Sequence, residues 1–368
     1  MGNTGSNRKM TLLTSALGES LMDITQLLTF AVDNGARQVL ISAGSPPILF
    51  KEGKLVFTKM DSLGSDDTRE LVYSVLSPAD IEKLENDREL SFTFAVRQDS
   101  RCLGSAYFER GSLAAVFRIA PSSVVLPTKL GLPSLVAEAT EAPQGLIVVA
   151  APPGHGKSTA IASLVEFINS EREATILTIE KRIVHPCVNR KSIVTQRQVG
   201  RDTLSVLSAL EAAAEQDPDV LVIDPMVGDE VIRRALAFAG RGHLMIASME
   251  ADYVLEVVEQ LLAAGAAEHG RTVHRQLGAQ LMLIVALRLL PREGADGRVP
   301  ACELLKVDAD VARLVAAGEL KALGKRMAEP EETGTWTMDS FILKLRERGL
   351  VSDEVARRYM LDPDLLET

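Results

Sequence analysis

Residues 151–159 combine the residue types that bind phosphate groups. Five apolar residues, 146–150, predict a buried strand before them, and an apolar-periodic stretch beginning at Lys157 predicts a helix after them. Backbone N–H groups of a turn-rich loop in this position, together with the positive end of the helix dipole, bind anions. Lys157 is then placed to reach the β- and γ-phosphates of a nucleotide, and Ser158 to hold Mg²⁺. The predicted ligands are therefore ATP and Mg²⁺.

The residues predicted to contact the nucleotide from this loop are Pro153, Gly154, His155, Gly156, Lys157, Ser158 and Thr159. Ala151 stands where the full phosphate-loop pattern has glycine, which weakens the pattern but leaves the lysine, the serine and two glycines in their expected context. His155 either donates a hydrogen bond to a phosphate or is a solvated loop residue. The alternative interpretation of the whole stretch is an ordinary strand, turn and helix.

Asp224 ends the apolar run 220–223, which predicts a second buried strand. A phosphate-binding loop needs an acidic partner on a neighbouring strand that positions Mg²⁺ or its water ligands. Ligands of parallel sheets bind beyond the carboxyl ends of the strands, where Asp224 is expected. We therefore predict that Asp224 is catalytic and holds Mg²⁺ together with Ser158; the alternative is that it caps the following segment.

Glu180 ends the predicted strand 175–179 and is expected at the same edge of the sheet. ATP hydrolysis requires a group that orients or deprotonates the attacking water, and Glu180 is the first candidate for this catalytic role. Its alternative role is an ion pair with the adjacent Lys181 or Arg182. Glu250, which follows another predicted strand, is a weaker candidate for the same chemistry.

The overall composition is that of an ordinary globular chain. Of 368 residues, 46% are hydrophobic and 24% are charged, and the net charge is −10, which argues against a nucleic-acid partner. Three widely spaced cysteines show no metal-ligand spacing and are expected to be reduced thiols. The longest apolar stretch, 277–290, is too short to span a membrane, and the N-terminus lacks the pattern of a signal peptide. These features predict a cytoplasmic protein.

The order of predicted elements divides the chain into five parts. Helices mixed with antiparallel strands predict a small α+β domain, the proline-containing segment that follows predicts a linker, and strands alternating with helices predict a mostly parallel α/β core. After Val254 the chain is predicted to be mainly helical, with a short strand around 298–306. The predicted parts are a disordered tail (1–19), an N-terminal domain (20–121), a linker (122–133), an α/β ATPase domain (134–290) and a C-terminal mainly helical subdomain (291–368).

Several further stretches, taken with this order of elements, resemble the PilT-type retraction ATPases of bacterial type IV pili, within the larger secretion-ATPase superfamily. The resemblance covers nearly the whole chain. The matching stretches are residues 22–28, 42–47, 114–118, 176–180, 196–199, 201–203, 217–219 and 242–244.

This resemblance implies a PAS-like N-terminal domain, a RecA-like P-loop core and C-terminal helices. It also implies a hexameric ring, homomeric or mixed, that binds nucleotide between the two domains. Arg101 and Arg118 match the N-domain arginine motif and are implied to contact the nucleotide. The implied partner is the inner-membrane platform protein of the pilus, so the protein would associate peripherally with that membrane while it drives retraction and twitching motility.

The chain departs from the family pattern on one side of the nucleotide site. The departures are Lys181 in place of an aspartate, Pro225 in place of the Walker B glutamate, Glu250 in place of a histidine, and Leu103 in place of an N-domain arginine. Three of them fall where water, metal and the γ-phosphate are handled, and Pro225 can neither bind water nor act as a base. The phosphate-cradling residues are retained, so the pattern predicts nucleotide binding more directly than hydrolysis.

Three hypotheses follow. The first is a working motor ATPase that hydrolyses ATP slowly with Glu180 and Asp224. The second is an ATP-binding subunit without hydrolysis that regulates or supports an intact PilT-like paralogue. The third, a related assembly or secretion ATPase, is disfavoured because the N-terminal domain is compact and no four-cysteine metal insertion is present. ATP turnover by the isolated protein separates the first hypothesis from the second.

Overall fold

The computed structural model describes residues 23–51, 54–97, 100–119, 124–265, 270–294, 297–328 and 334–366, without the side chains of residues 97, 100 and 101. The predicted disordered tail, 1–19, lies outside these ranges. The described parts of Met1–Ser123 and Val184–Pro186 form one compact unit, and those of Val124–Ile183 and Cys187–Thr368 form a second. No helix within the described ranges has both the length and the apolar character needed to cross a membrane.

The first unit is a six-stranded antiparallel sheet with the strand order β3-β2-β1-β6-β5-β4 and three helices. Its elements are α1 (Ile24–Asp33), β1 (Gln38–Ile41), β2 (Ile48–Lys51), β3 (Lys54–Phe57), α2 (Ser65–Tyr73), α3 (Pro78–Asp87), β4 (Glu89–Arg97), β5 (Ser100–Glu109) and β6 (Ser112–Ile119).

Local sequence accounts for the sharp turn between β5 and β6. Arg110 and Gly111 both have positive φ, 52° and 84°, which is the backbone of the two-residue turn that matches strand twist. The hairpin brings Phe117 into the core, where its side chain is fully buried and its ring meets Phe92 and Phe94 edge-on at 6.3 and 6.0 Å between centroids. Aromatic burial of this kind stabilises the sheet beyond its hydrogen bonds.

The second unit is built on a seven-stranded sheet with helices on both faces. Its strands are β7 (Gly145–Ala150), β8 (Thr175–Glu180), β9 (Ile193–Gln198), β10 (Val220–Asp224), β11 (Leu244–Met249), β12 (Leu281–Pro291) and β13 (Arg298–Lys306). Its helices are α4 (Pro127–Leu130), α5 (Ser134–Glu138), α6 (Lys157–Glu171), α7 (Val206–Gln216), α8 (Asp229–Ala239), α9 (Val254–Ala263), α10 (Gly270–Gln280), α11 (Ala309–Ala317), α12 (Leu320–Met327), α13 (Met338–Glu347) and α14 (Asp353–Tyr359).

The strands of this sheet lie in the order β13-β12-β7-β11-β10-β8-β9, and all are parallel except β13. All six residues of β7 are buried, as expected for a central parallel strand covered on both faces. Successive residues of β7 alternate between the two cores: Leu146 and Val148 face the core that includes α8 and α9, and Ile147 and Val149 face the core that includes α6. The predicted α/β class is confirmed.

Two strands of the sheet differ from the sequence prediction. Residues 281–291 were expected in a mainly helical region but form the eleven-residue strand β12 beside β7, so the predicted boundary at 290/291 falls within a strand. A long apolar run cannot be told from a buried helix by periodicity alone, and this one follows directly on the helix Gly270–Gln280. The edge strand β9 was not predicted, because its residues Thr195-Gln196-Arg197-Gln198 are polar.

Ile147→Ala is expected to lower the free energy of unfolding of the second unit by about 2–5 kcal/mol, because the Ile147 side chain is fully buried. The matched control is Ile193→Ala on the edge strand β9, where Ile193 is 62% exposed; that change is expected to cost less than about 0.5 kcal/mol. Trp336 is the single tryptophan of the chain and packs against the same core as Ile147, so its fluorescence in urea reports this transition. Equal losses in the two variants would contradict the assigned core.

Candidate functional site

The loop between β7 and α6 has the backbone of a phosphate cradle. Gly154 and Gly156 adopt φ values of 79° and 96°, a region that favours glycine because it has no Cβ. Gly156 is the N-cap of α6 and carries no side chain to bond the first-turn amides of the helix. Unsatisfied amides at a helix start bind anions, and the helix dipole favours negative charge there. The loop therefore directs backbone N–H groups and a partial positive charge at the same point.

Lys157 folds back over this loop. Its Nζ donates a hydrogen bond to the carbonyl oxygen of Ala151 at 2.8 Å and lies 3.5 Å from Oε1 of Glu250. Only 11% of the Lys157 side chain is exposed, so the side chain is largely shielded from solvent in this position. Ser158 is half-buried beside it, whereas Pro153 and Thr159 are exposed. Lysine, serine and loop amides thus lie together as the sequence predicts.

Strands β12 and β13 hold the loop from one side. The backbone N–H of Leu289 donates to Nδ1 of His155 at 3.0 Å, and Nη1 of Arg298 donates to the carbonyl oxygen of Gly154 at 3.2 Å. A Cβ at Gly156 would contact the Leu289 side chain at 3.5 Å. Sequence reasoning assigned His155 either to a phosphate or to solvent; in the structure its Nδ1 accepts a hydrogen bond from the sheet. Arg298 was not predicted, because nothing in the local sequence links it to a loop 144 positions away.

The position of His155 lowers its pKa below the ordinary value of 6.5. Burial is the main cause, because it disfavours the charged imidazolium, and the positive charges of Arg288 and Arg298 act in the same direction. The carboxylate of Asp252 opposes them more weakly. A neutral imidazole is also what the geometry requires, since Nδ1 can accept from Leu289 only while it carries no proton.

The two predicted acidic residues lie side by side at the carboxyl edge of the sheet. Asp224 and Glu180 are the last residues of the adjacent parallel strands β10 and β8, and they are paired in register. Asp224 is buried, and its Oδ1 accepts a hydrogen bond from the Ser248 hydroxyl. Glu180 Oε1 accepts from Thr178 Oγ1 at 2.6 Å and from Gln196 Nε2 at 3.0 Å. Both carboxylates are therefore oriented by neighbouring polar side chains.

The strand order sets how these carboxylates relate to the phosphate loop. Strand β11 lies between β7 and β10, so Asp224 is two strands from the loop, about 10 Å at normal strand spacing. Among the residues described, no group of three or more His, Cys, Asp and Glu side chains has the arrangement of a metal site. One serine hydroxyl and one carboxylate nonetheless fit Mg²⁺, which usually binds through one or two carboxylates together with waters and the phosphates of a nucleotide.

The two predicted arginines lie in the first unit. Arg118 is on β6, in register with Gln38 of β1 and Leu103 of β5, and is exposed. Arg101 is on β5 opposite Ala95, and its side chain is outside the described part. The contact of both residues with nucleotide stays a prediction.

The second unit matches a known family model. The model described as "Type II/IV secretion system protein" matches residues 129–339. Two proteins of Pseudomonas aeruginosa are similar over most of the chain. The protein described as the type IV pilus retractation ATPase PilT is 29% identical over 93% of this chain and 99% of its own length. The type IV pilus ATPase PilU is 29% identical over 91% of this chain and 88% of its own length.

Solved structures share the fold. A crystal structure described as the pilus retraction motor PilT and bound ADP has a TM-score of 0.87 and 34% sequence identity, and it covers 94% of this chain and 99% of its own. The ATPase DotB of Legionella pneumophila has a TM-score of 0.76 at 19% identity, over 90% of this chain and 94% of its own, which shows a common fold alone.

The lowered pKa of His155 predicts a specific pH dependence of stability in the nucleotide-free protein. Because the folded-state pKa lies below the unfolded value of 6.5, stability is unaffected well above that pH and is lost as the pH falls through 6.5 toward the folded pKa. His155→Asn keeps an acceptor for Leu289 but removes the titration. Urea unfolding at pH 5–8 is expected to show the wild type losing stability relative to this variant below about pH 6.5. Parallel curves for the two proteins over that range would contradict the assignment.

Proposed function

The chain belongs to the type II/IV secretion system protein family, in its PilT-like branch, and on that premise we propose that it is an ATP-binding motor subunit of the type IV pilus machinery. The observation that carries the proposal is the phosphate loop, in which two glycines with positive φ precede Lys157 at the start of an uncapped helix. Its relatives PilT and PilU are described as type IV pilus ATPases, which supports the same assignment.

Each group of the phosphate loop has a proposed role in nucleotide binding. The ammonium of Lys157 exchanges the Ala151 carbonyl for phosphate oxygens, and the amides of Gly154 through Thr159 surround the phosphates. The hydroxyl of Ser158 and the carboxylate of Asp224 would hold Mg²⁺, directly or through water. Mg²⁺, when bound, neutralises charge that develops on the phosphates during transfer. Arg118 and Arg101 of the first unit are proposed to add positive charge to the same nucleotide.

Hydrolysis is proposed to depend on Glu180. Its carboxylate is held by Thr178 and Gln196 at the carboxyl edge of the sheet, next to Asp224, and is suited to orient or deprotonate a water. Pro225 occupies the position of the family's Walker B glutamate, so the carboxylate of that glutamate is absent from this chain. Because loss of one such group costs on the order of 10²–10⁴ in rate, we expect turnover to be slow.

We extend the proposal to the assembly that this function requires. The protein would act in the cytoplasm as a hexameric ring, homomeric or mixed, on the inner-membrane platform protein of the pilus, and would drive retraction and twitching motility. A relative at 28% identity from Neisseria gonorrhoeae is described as a twitching motility protein, which supports the proposed role in twitching motility.

A second candidate function is an ATP-binding subunit that does not hydrolyse ATP and works with an intact PilT-like paralogue. The observation that favours it is the pair of substitutions Pro225 and Glu250 at family positions for water and the γ-phosphate, while Gly154, Gly156, Lys157 and Ser158 of the loop are retained. In a mixed ring, such a subunit would contribute nucleotide-dependent contacts while its neighbours supply turnover.

Steady-state ATP hydrolysis separates the two functions. If the protein is a motor, turnover with Mg²⁺ exceeds that of Lys157→Ala, and Glu180→Gln lowers it by about 10²–10⁴-fold because the water-orienting carboxylate is lost. The matched control, Glu173→Gln, removes a carboxylate from an exposed residue two positions before the first residue of β8, at the opposite end of that strand, and is expected to leave turnover unchanged. Wild-type turnover no higher than that of Lys157→Ala would contradict the motor and favour the non-hydrolysing subunit.

A further inference from the structure

Glu250 points a carboxylate at the lysine of the phosphate loop. It follows the last residue of β11, Met249, which pairs with Ala150 at the end of β7. This register places Glu250 beside the start of the loop. Its Oε1 lies 3.5 Å from Nζ of Lys157, the same ammonium that bonds Ala151. The nucleotide-free site thus already contains an anion next to its principal cation.

The backbone of this segment is fixed, so the carboxylate stays near Lys157. The carbonyl oxygen of Glu250 accepts a hydrogen bond from Gln260 Nε2 at 3.0 Å. Two residues later, the amide of Asp252 donates to Glu256 at 2.7 Å, and the carboxylate of Asp252 pairs with Arg288 at 2.8 Å. The Glu250 side chain is 62% exposed and can adopt several rotamers, but the position of its backbone is fixed.

A carboxylate beside Lys157 is expected to affect the binding of nucleoside triphosphates more than the binding of nucleoside diphosphates. A phosphate-loop lysine contacts the β- and γ-phosphates. Glu250 follows β11, which lies between the loop strand β7 and the acidic strand β10, so a triphosphate that extends toward Asp224 is expected to bring its terminal phosphate closer to Glu250 than its β-phosphate. There it meets the negative charge of Glu250, whose side chain is 62% exposed, so water screens the repulsion and the effect on affinity is modest. A diphosphate lacks the group that is repelled most.

We propose that Glu250 makes this site favour nucleoside diphosphates over nucleoside triphosphates by competing with the terminal phosphate for Lys157. The proposal rests on the proposed function, since it concerns the same nucleotide site. It assigns Glu250 a role in ligand specificity instead of water activation. Triphosphate binding therefore requires the Lys157–Glu250 ion pair to break, and diphosphate binding requires this to a smaller extent.

The test compares Glu250→Gln with the wild type by isothermal titration of ADP and of a non-hydrolysable ATP analogue, each with Mg²⁺. Removing the charge is expected to tighten binding of the triphosphate analogue by about three- to tenfold and binding of ADP by less than about twofold. The matched control is Glu259→Gln, which removes the same charge from an exposed position on α9 and is expected to leave both affinities unchanged.

Each outcome decides the proposal. A selective gain in affinity for the triphosphate analogue in Glu250→Gln, relative to ADP, supports it. Unchanged affinities, equal gains for both nucleotides, or an equal selective gain in Glu259→Gln overturn it while the proposed nucleotide site stands. Weaker triphosphate binding in Glu250→Gln overturns it, because the carboxylate would then assist triphosphate binding instead of opposing it. Absence of nucleotide binding in every protein overturns both this proposal and the proposed function.

Discussion

The parallel register of β7, β11, β10 and β8 is the constraint on which the candidate site depends. Because these strands run the same way and are paired without offset, their carboxyl ends form one edge of the sheet. The phosphate loop, Glu250, Asp224 and Glu180 all leave the sheet at that edge. Their spacing is therefore set by strand order and not by local loop structure. The strands can hold this register because each is buried on both faces, so a one-residue slip would exchange two different cores.

Residues far away in the sequence complete the site. The phosphate loop is held by strands β12 and β13 through bonds that join residues more than 130 positions apart, such as His155 and Leu289. Two of the substitutions noted in the sequence change the charged groups of the candidate site. Glu250 gives the loop lysine an ion-pair partner, and Pro225 removes a carboxylate from the edge where Glu180 and Asp224 remain. On the proposed function, the site keeps the residues assigned to phosphate binding and changes residues assigned to the terminal phosphate.

Local pattern was sufficient for much of this architecture. The strands that carry Asp224 and Glu180 were predicted within one residue at each end, and the helix was predicted to start at Lys157, as observed, because apolar runs and glycine loops are strong local signals. Strand β12 was missed because a long apolar run that follows a helix cannot be told from more helix, and β9 because four of its six residues are polar. The tether of His155, the role of Arg298 and the Lys157–Glu250 pair depend on strand order, which no local pattern in one sequence reveals.

The measurement that tests the account most directly is equilibrium binding of a non-hydrolysable ATP analogue with Mg²⁺ to the wild type and to Lys157→Ala, with Trp336 fluorescence as the check that both proteins are folded. The account predicts saturable binding of one nucleotide per chain to the wild type. It also predicts a loss on the order of 100-fold in Lys157→Ala, because a charge-assisted contact to two phosphates is removed. Equal binding by the two folded proteins, or no binding by the wild type, would contradict the claim that this loop is the phosphate site.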